Sequence, residues 1–221
     1  MSENYAILDQ QLNEDVDEVL ARLQLQFIER QRKPCLNFLD VSAPGLANHL
    51  KTAGFEEIGK WPLLTCTEDT YVAELQVPGL AFEMISSESP LEAVREGWNA
   101  NARGYDMNAD LATDEQVNEF RNHPGNWRGF TARLYGEVVG AGMFEVIRNG
   151  VTELVGITTL EPYRRRGIAS ALTAHATQIA FSMGVDVTFL IPANNEAHRI
   201  YTRVGYQHHA TQMSYRLSIA Q

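Results

Sequence analysis

The sequence has few cysteines, no long apolar run and no excess of basic residues. Its two cysteines, Cys35 and Cys66, lack the spacing of a metal-ligand cluster. No apolar stretch approaches the roughly 20 residues that a membrane-spanning helix needs, and the polar N-terminus lacks a signal-peptide core. These absences predict a cytoplasmic protein with buried thiols, no metal and no membrane partner.

The charge balance is acidic, with 28 Asp and Glu against 18 Lys and Arg, a formal net charge of −10. Nucleic-acid phosphates would be repelled by such a surface, which argues against a nucleic-acid partner. Most of the excess lies in residues 1–77, which hold 13 acidic and 6 basic residues. Apolar residues make up 44% of the chain, enough to build a core.

Three consecutive arginines and a glycine, residues 164–167, separate an apolar strand at 154–160 from a small-residue helix at 167–183. A glycine lets the backbone approach a ligand closely, and the N–H groups at a helix start form an anion site. The pattern therefore predicts a phosphate or pyrophosphate ligand. Neither the P-loop nor the Rossmann fingerprint is present.

A second motif follows a strand at residues 185–191. Asn194 is suited to start a helix, and Gly205 is suited to end one in the left-handed conformation. Between them, Ala197 and Tyr201 fall on one helical face together with Ile200 and Val204.

Together the two motifs identify the chain as a member of the GCN5-related N-acetyltransferase (GNAT) family. Arg164-x-x-Gly167-x-Ala169 resembles the family's pyrophosphate loop, and the order Asn-x-x-Ala-x-x-Ile-Tyr-x-Arg-x-Gly-Tyr from Asn194 is similar to its last conserved helix. The resemblance covers roughly residues 79–221. It implies an α/β (α+β) fold with a mixed central sheet in which two parallel strands splay apart.

The resemblance also implies a binding site for acetyl-CoA or another acyl-CoA. The residues that it assigns to the pyrophosphate, the pantetheine arm and their surroundings are Ile157, Thr159, Leu160, Arg164, Arg165, Arg166, Gly167, Ile168, Ala169, Ser170, Asn194, Ala197 and Tyr201. One departure from the family pattern precedes the loop, where Glu161-Pro162 replaces the usual proline before an acidic residue. Because of this departure, the resemblance does not predict the conformation of the turn before the loop.

Tyr201 matches the residue that often protonates the departing CoA thiolate in that family. A phenol is still protonated at pH 7, so it can donate a proton. The alternative is a core tyrosine with its hydroxyl at the rim. For the general base Glu153 is the first choice, and Glu145, His175 and His198 are the other candidates.

Residues 1–77 are predicted to form a truncated GNAT-like α-β-α-β half ahead of a catalytic domain at 78–221. An offset of 151 residues carries Gly54-Phe55 onto Gly205-Tyr206 and residues 16–32 onto 167–183. The offset also places acidic residues where the phosphate loop would be, so this half is expected to bind no CoA and to dock on the catalytic domain. The alternative is a generic α/β unit.

The elements expected from local patterns are helices at residues 8–33, 42–53 with Ser42 as N-cap, 90–101 and 113–122, and strands at 35–40, 55–60, 63–67, 81–86, 129–135, 138–148 and 151–160. The loop at 102–112, together with Trp98, Tyr105 and Met107, is expected where the family admits its acceptor.

The function expected from the sequence is transfer of an acetyl group from acetyl-CoA to an amine, by direct attack in a ternary complex. Three alternatives stay open: another acyl donor, an oxygen acceptor, or a non-catalytic acyl-CoA sensor. The sequence does not name the acceptor, because fold and cofactor site do not determine it. The oligomeric state is also open, with a homodimer among the options.

Overall fold

A computed structural model of the chain describes residues 6–7, 15–72 and 76–217. Within these ranges the α-helices are α1 Val16–Glu29, α2 Leu46–Thr52, α3 Leu91–Tyr105, α4 Asp114–Arg121, α5 Ile168–Ser182 and α6 Asn195–Arg203. The strands are β1 Ala6–Ile7, β2 Cys35–Leu39, β3 Phe55–Cys66, β4 Leu80–Ile85, β5 Arg128–Leu134, β6 Glu137–Phe144, β7 Val151–Thr159, β8 Val187–Leu190 and β9 Gln207–Leu217.

The described residues divide into two compact units. The first runs up to Leu63 and resumes at His208, and the second is Leu64–Gln207. The boundary predicted at residue 77 lies inside the second unit, and β3 contributes residues to both.

The first unit is built on strands in the order β1-β2-β9-β3. β2 runs parallel to β1 and antiparallel to β9, with Cys35 opposite Arg216 and Leu39 opposite Gln212. The Asp15 carboxylate caps the start of α1 by accepting hydrogen bonds from the N–H groups of Asp17 and Glu18. The core of this unit is formed by alternate residues of the strands and by the apolar faces of α1 and α2. It includes Leu20, Leu36, Phe38, Leu50, Phe55 and Tyr215.

The second unit contains a mixed sheet in the order β8-β7-β6-β5-β4, with the end of β3 antiparallel to β8. β7 and β8 are parallel, and the remaining pairs are antiparallel. Leu154 packs with Leu172 of α5, whereas its neighbour Val155 lies with residues of α3 beside a cavity. Since adjacent strand residues point to opposite faces, α3 and α5 cover opposite faces of the sheet. This architecture confirms the predicted fold class.

Several local predictions were wrong. α2 begins after Gly45, which has φ +88°, and not at Ser42, because Pro44 disfavours helical backbone at the preceding residue. The two strands expected at 55–60 and 63–67 form one, β3, since the φ of Pro62 is compatible with an extended chain. α3 continues a turn past residue 101 to Tyr105, so the loop expected at 102–112 is shorter. Residues 8–14 of the first expected helix lie outside the described ranges.

β9 was missed by the sequence reasoning. Its signal is the alternation of Met213, Tyr215 and Leu217 with polar residues, which is typical of a half-buried strand. In the fold, Met213 and Tyr215 are buried in the core of the first unit. The family motif ends at Tyr206, so the resemblance did not draw attention to the residues that follow it.

Candidate functional site

The parallel strands β7 and β8 stay together for only three residue pairs. Val151 faces Val187, Thr152 faces Thr188 and Glu153 faces Phe189. β7 then continues for six residues to Thr159, whereas β8 ends one residue further on, at Leu190. Along these six residues one edge of β7 leaves β8, while the other edge remains paired to β6 as far as Thr159. The predicted contact residues Ile157 and Thr159 lie in this parted segment.

A β-bulge lies in the same segment. The register between β6 and β7 shifts between Ala141 and Met143, so that Gly156 and Ile157 together stand opposite Gly142. Gly156 has φ +64°, a left-handed conformation that suits glycine, and its carbonyl accepts a hydrogen bond from the Asn101 amide. The bulge and this bond define the backbone at the place where the strands part.

The arginine loop lies at the start of α5. Arg165 has φ +63° and Gly167 has φ +82°, and Gly167 is the N-cap of α5 without any side-chain cap. Alternating left-handed residues at a helix start turn successive N–H groups toward one concave surface, which favours an anion. A Cβ on Gly167 would find one neighbour within 4 Å, Val77 Cγ2 at 3.4 Å, so among the described residues the loop is open.

The three arginines of the loop have different surroundings. Arg164 donates from Nε to Thr159 O (3.1 Å) and from Nη2 to Gly104 O (2.9 Å). Arg166 donates to the Pro162 carbonyl and stacks on the Tyr163 ring at 5.4 Å from its centroid. Arg165 is exposed, and its side chain bonds to none of the residues that the structure describes. Arg164 and Arg166 therefore stabilise the loop, whereas the Arg165 guanidinium is available to bind a ligand.

α6 carries the second set of predicted residues. Asn194 is its N-cap and accepts a hydrogen bond from Ala197 N at 2.9 Å, as the sequence predicted for a helix start. Ala197 and Tyr201 are one turn apart on the same face. Burial, followed by the nearby Tyr105 hydroxyl, raises the pKa of Tyr201 to about 12. Over the described part of the chain the Tyr201 hydroxyl has no hydrogen-bond partner, so it is available to a ligand.

The candidates for a general base differ in their environments. Burial, and then the charge of Glu145, raises the pKa of the Glu153 carboxyl on β7. His175 stacks on Phe82 at 4.5 Å between ring centroids, and burial lowers its pKa. His198 is within 3.5 Å of the Thr202 hydroxyl. A carboxylate with a raised pKa is a better proton acceptor near neutral pH, which favours Glu153.

An apolar cavity of about 320 Å³ lies between the sheet and the helices α3 and α4. Its walls come from α3, α4 and four strands, β4 to β7. They are Ile85, Val94, Gly97, Trp98, Asn101, Ala102, Phe120, Gly129, Phe130, Ala141, Gly142, Met143, Val155 and Gly156. Of the residues expected near an acceptor, Trp98 lines it, whereas Tyr105 and Met107 are exposed outside it. Sequence reasoning missed the cavity, because its walls come from well-separated parts of the chain.

Among the residues that the structure describes, no group of three or more His, Cys, Asp or Glu is arranged to hold a metal ion. In the same ranges no helix is both long and apolar enough to cross a membrane.

The chain belongs to the acetyltransferase (GNAT) family, whose family model matches residues 91–206, just over half of the chain. The match includes the arginine loop, α6 with the residues after it up to Tyr206, and most of the cavity walls. No curated protein matches the chain significantly.

Solved structures show the same fold. A GCN5-related N-acetyltransferase from Kribbella flavida matches with a TM-score of 0.78 at 24% identity, covering 98% of this chain and 82% of its own. A GCN5-related N-acetyltransferase from Sphaerobacter thermophilus matches with a TM-score of 0.65 at 18% identity, covering 90% of this chain and 66% of its own. A tandem GNAT protein from the clavulanic acid biosynthesis pathway matches with a TM-score of 0.69 at 11% identity, covering 98% of this chain and 76% of its own.

Proposed function

We propose that this protein transfers an acetyl group from acetyl-CoA to an amine acceptor. The observation that carries the proposal is the parting of β7 from β8 beyond Glu153 and Phe189, with the open arginine loop at the start of the adjoining helix α5. An extended arm can hydrogen-bond to the free edge of a strand, and a pyrophosphate suits the N–H groups of such a loop. Enzymes of the family use acetyl-CoA, and these residues fit it.

The donor would be held along two stretches of backbone. N–H groups from Arg165 to Ser170 would bind the pyrophosphate, with Arg165 adding its charge and Ile168 and Ala169 the first helical amides. The β7 edge at Ile157 to Leu160 would bind the pantetheine arm. Asn194 and Ala197 would line its other side. Arg164 and Arg166 would act through the loop, because their guanidinium groups are already bonded within the protein.

Acetyl-CoA supplies an acetyl thioester, whose carbonyl carbon is the electrophile. Glu153 would accept a proton from the incoming ammonium group, which leaves a neutral amine to attack. The C–N bond forms, the C–S bond breaks, and Tyr201 would give its phenolic proton to the leaving thiolate. The acylated nitrogen then releases its surplus proton, which restores the Tyr201 hydroxyl. The raised pKa of each group suits its role, since it keeps Tyr201 protonated and makes Glu153 a stronger base.

An acceptor screen tests the proposal. The protein would be mixed with acetyl-CoA and a panel of free amines, lysine peptides and peptide N-termini, with thiol release as the readout. Turnover with an amine supports the enzyme. Tight binding of acetyl-CoA without turnover on any acceptor identifies a sensor, and faster turnover with a longer acyl-CoA or an alcohol would correct the donor or the acceptor class.

The pH dependence of stability tests the environment of Glu153. A carboxyl whose pKa is raised by folding binds its proton more tightly in the native state, so stability falls as pH rises from the unfolded to the folded pKa. Glu153→Gln removes the ionisable group and with it this loss of stability. We expect the variant to equal wild type near pH 4 and to have the higher unfolding free energy at pH 8.

Chemical denaturation at both pH values measures this difference, and Glu119→Gln, at an exposed position on α4, is the matched control. Turnover should fall in Glu153→Gln if the carboxylate is the base. A variant that is less stable than wild type at pH 8 would contradict the buried-charge account.

We also propose that residues 1–77 derive from the second half of a GNAT domain. The order α1-β2-α2-β3 repeats that of α5-β8-α6-β9 at an offset of about 151 residues, which supports this proposal. Asp15, which starts α1 with a carboxylate, stands near the position of the arginine loop, where it would repel a pyrophosphate. We expect calorimetry to give one acetyl-CoA per chain. A stoichiometry of two would refute the loss of the first site.

A further inference from the structure

We infer that the acceptor is an amine bearing one compact apolar group, and that the cavity beside α3 holds this group. The inference rests on the proposed transferase function and adds the substrate class. It excludes polyamines, amino sugars and exposed protein lysines as preferred acceptors.

Among the residues that the structure describes, those in the walls of the cavity carry no charged side chain. Their polar side-chain groups are the Asn101 amide, which donates to Gly156 O, and the indole N–H of Trp98. A second ammonium group or a sugar hydroxyl placed there would lose its water without gaining a matching set of partners. The aromatic rings of Trp98, Phe120 and Phe130 instead offer an apolar or aromatic group the contacts that it lacks in water.

The size of the cavity limits the group that fits. A closed apolar cavity of roughly 150 Å³ holds benzene, and this one measures about 320 Å³. There is room for a phenyl group on a short chain or for a fused pair of rings. The long methylene chain of a protein lysine, with a polypeptide attached, would leave most of this volume empty.

The cavity leads to the place where the chemistry is proposed. Val155 and Gly156 form part of its wall, and they belong to the segment of β7 that has parted from β8. Glu153 lies two residues before Val155 and so projects from the same face of the strand. An apolar group inside the cavity would therefore leave its amine near β7, with the Glu153 carboxylate beside the cationic nitrogen.

Two of the glycines in the walls allow close packing between neighbouring elements. A Cβ at Gly97 would lie 2.6 Å from Ile85 Cδ1, and one at Gly156 would lie 2.8 Å from the Asn101 amide nitrogen. Gly129 is different, because a Cβ there would have ordinary contacts, 3.5 Å from Ile85 Cβ and 3.8 Å from the Trp127 ring. A larger residue at position 129 can thus occupy the cavity without displacing the backbone, which makes this position suited to a test.

The experiment compares 2-phenylethylamine, ethylamine and spermidine as acceptors for the full chain with acetyl-CoA. We expect kcat/KM for 2-phenylethylamine to exceed those of the other two by about 10²-fold, as burial of several carbon atoms predicts. In Gly129→Val the ratio of 2-phenylethylamine to ethylamine should fall about tenfold or more, with a smaller fall in Gly129→Ala. Ala81→Val, which introduces the same valine side chain at an exposed position on β4, should leave the ratio unchanged.

Calorimetry separates the proposed transferase function from the proposed apolar acceptor. It measures the affinity for acetyl-CoA and the binding of 2-phenylethylamine to the protein with CoA. Binding that Gly129→Val weakens, without turnover in any variant, would support the cavity and overturn the transferase proposal. Turnover that favours spermidine, or a ratio that Gly129→Val does not change, would overturn the apolar acceptor and leave the transferase in place. If the amine does not bind and no acceptor turns over, both fail.

Discussion

Tyr201→Phe is expected to lower turnover on the order of 10²-fold or more while acetyl-CoA affinity stays close to that of wild type. The proton of Tyr201 is needed only as the C–S bond breaks, so its loss affects the transition state and not the bound donor. Burial raises the pKa of Tyr201 to about 12, so the phenol keeps its proton throughout the neutral range. Steady-state kinetics with an active acceptor, together with calorimetry of acetyl-CoA binding, measure the two effects.

Tyr206→Phe is the matched control, because the two rings lie 6.2 Å apart and the substitution removes the same atom. The Tyr206 hydroxyl is buried between Thr177 and Thr188, at 2.8 and 2.9 Å. Its loss should cost about 1–3 kcal/mol of stability and leave turnover of the folded enzyme little changed. Wild-type turnover in Tyr201→Phe would remove this residue from the mechanism, whatever the control shows.

Gly167→Val is expected to weaken acetyl-CoA binding by about 10²-fold or more, the effect of losing two charge-assisted hydrogen bonds. The added side chain would stand where the pyrophosphate must approach, and φ +82° is a conformation that valine avoids, so the loop would also shift. Calorimetric titration with CoA measures the loss.

Gly184→Val separates the two causes. Gly184 follows the other end of α5 and has φ +84°, and a Cβ there would meet none of the described residues within 4 Å. Its substitution introduces the same backbone strain away from the arginine loop, so stability should fall in both variants and CoA affinity in Gly167→Val alone. Equal affinities in the two variants, with both folded, would argue against the pyrophosphate assignment.

The parts of the candidate site that could be predicted from the sequence are motifs of consecutive residues. The arginine loop and α6 are each encoded within about a dozen residues, so local patterns and the family resemblance could name Gly167, Asn194 and Tyr201 as candidates. Helix and strand limits depend on tertiary contacts. For example, α3 continues through Gly104 because the helix packs there so closely on Thr158 that a Cβ would collide.

The cavity could not be predicted, because its walls are separated by up to 71 positions, from Ile85 to Gly156. No local pattern shows that Gly97, Gly129 and Gly142 face one space. The different surroundings of the three arginines were equally hidden, since the partners of Arg164 are carbonyls of Thr159 and Gly104. Only the folded backbone brings those acceptors to it.

The discontinuous first unit has a consequence for folding during synthesis. β2 pairs with β9, so Cys35 must wait for Arg216 to leave the ribosome before it gains its strand partner. By then all of Leu64–Gln207 has emerged and can fold first. The early part of the chain is thus the last to complete its sheet, and during that interval Leu36 and Phe38 lack the cover of Tyr215. We therefore expect folding to be slow for the chain's length, with a step that matches the closure of this long-range pair.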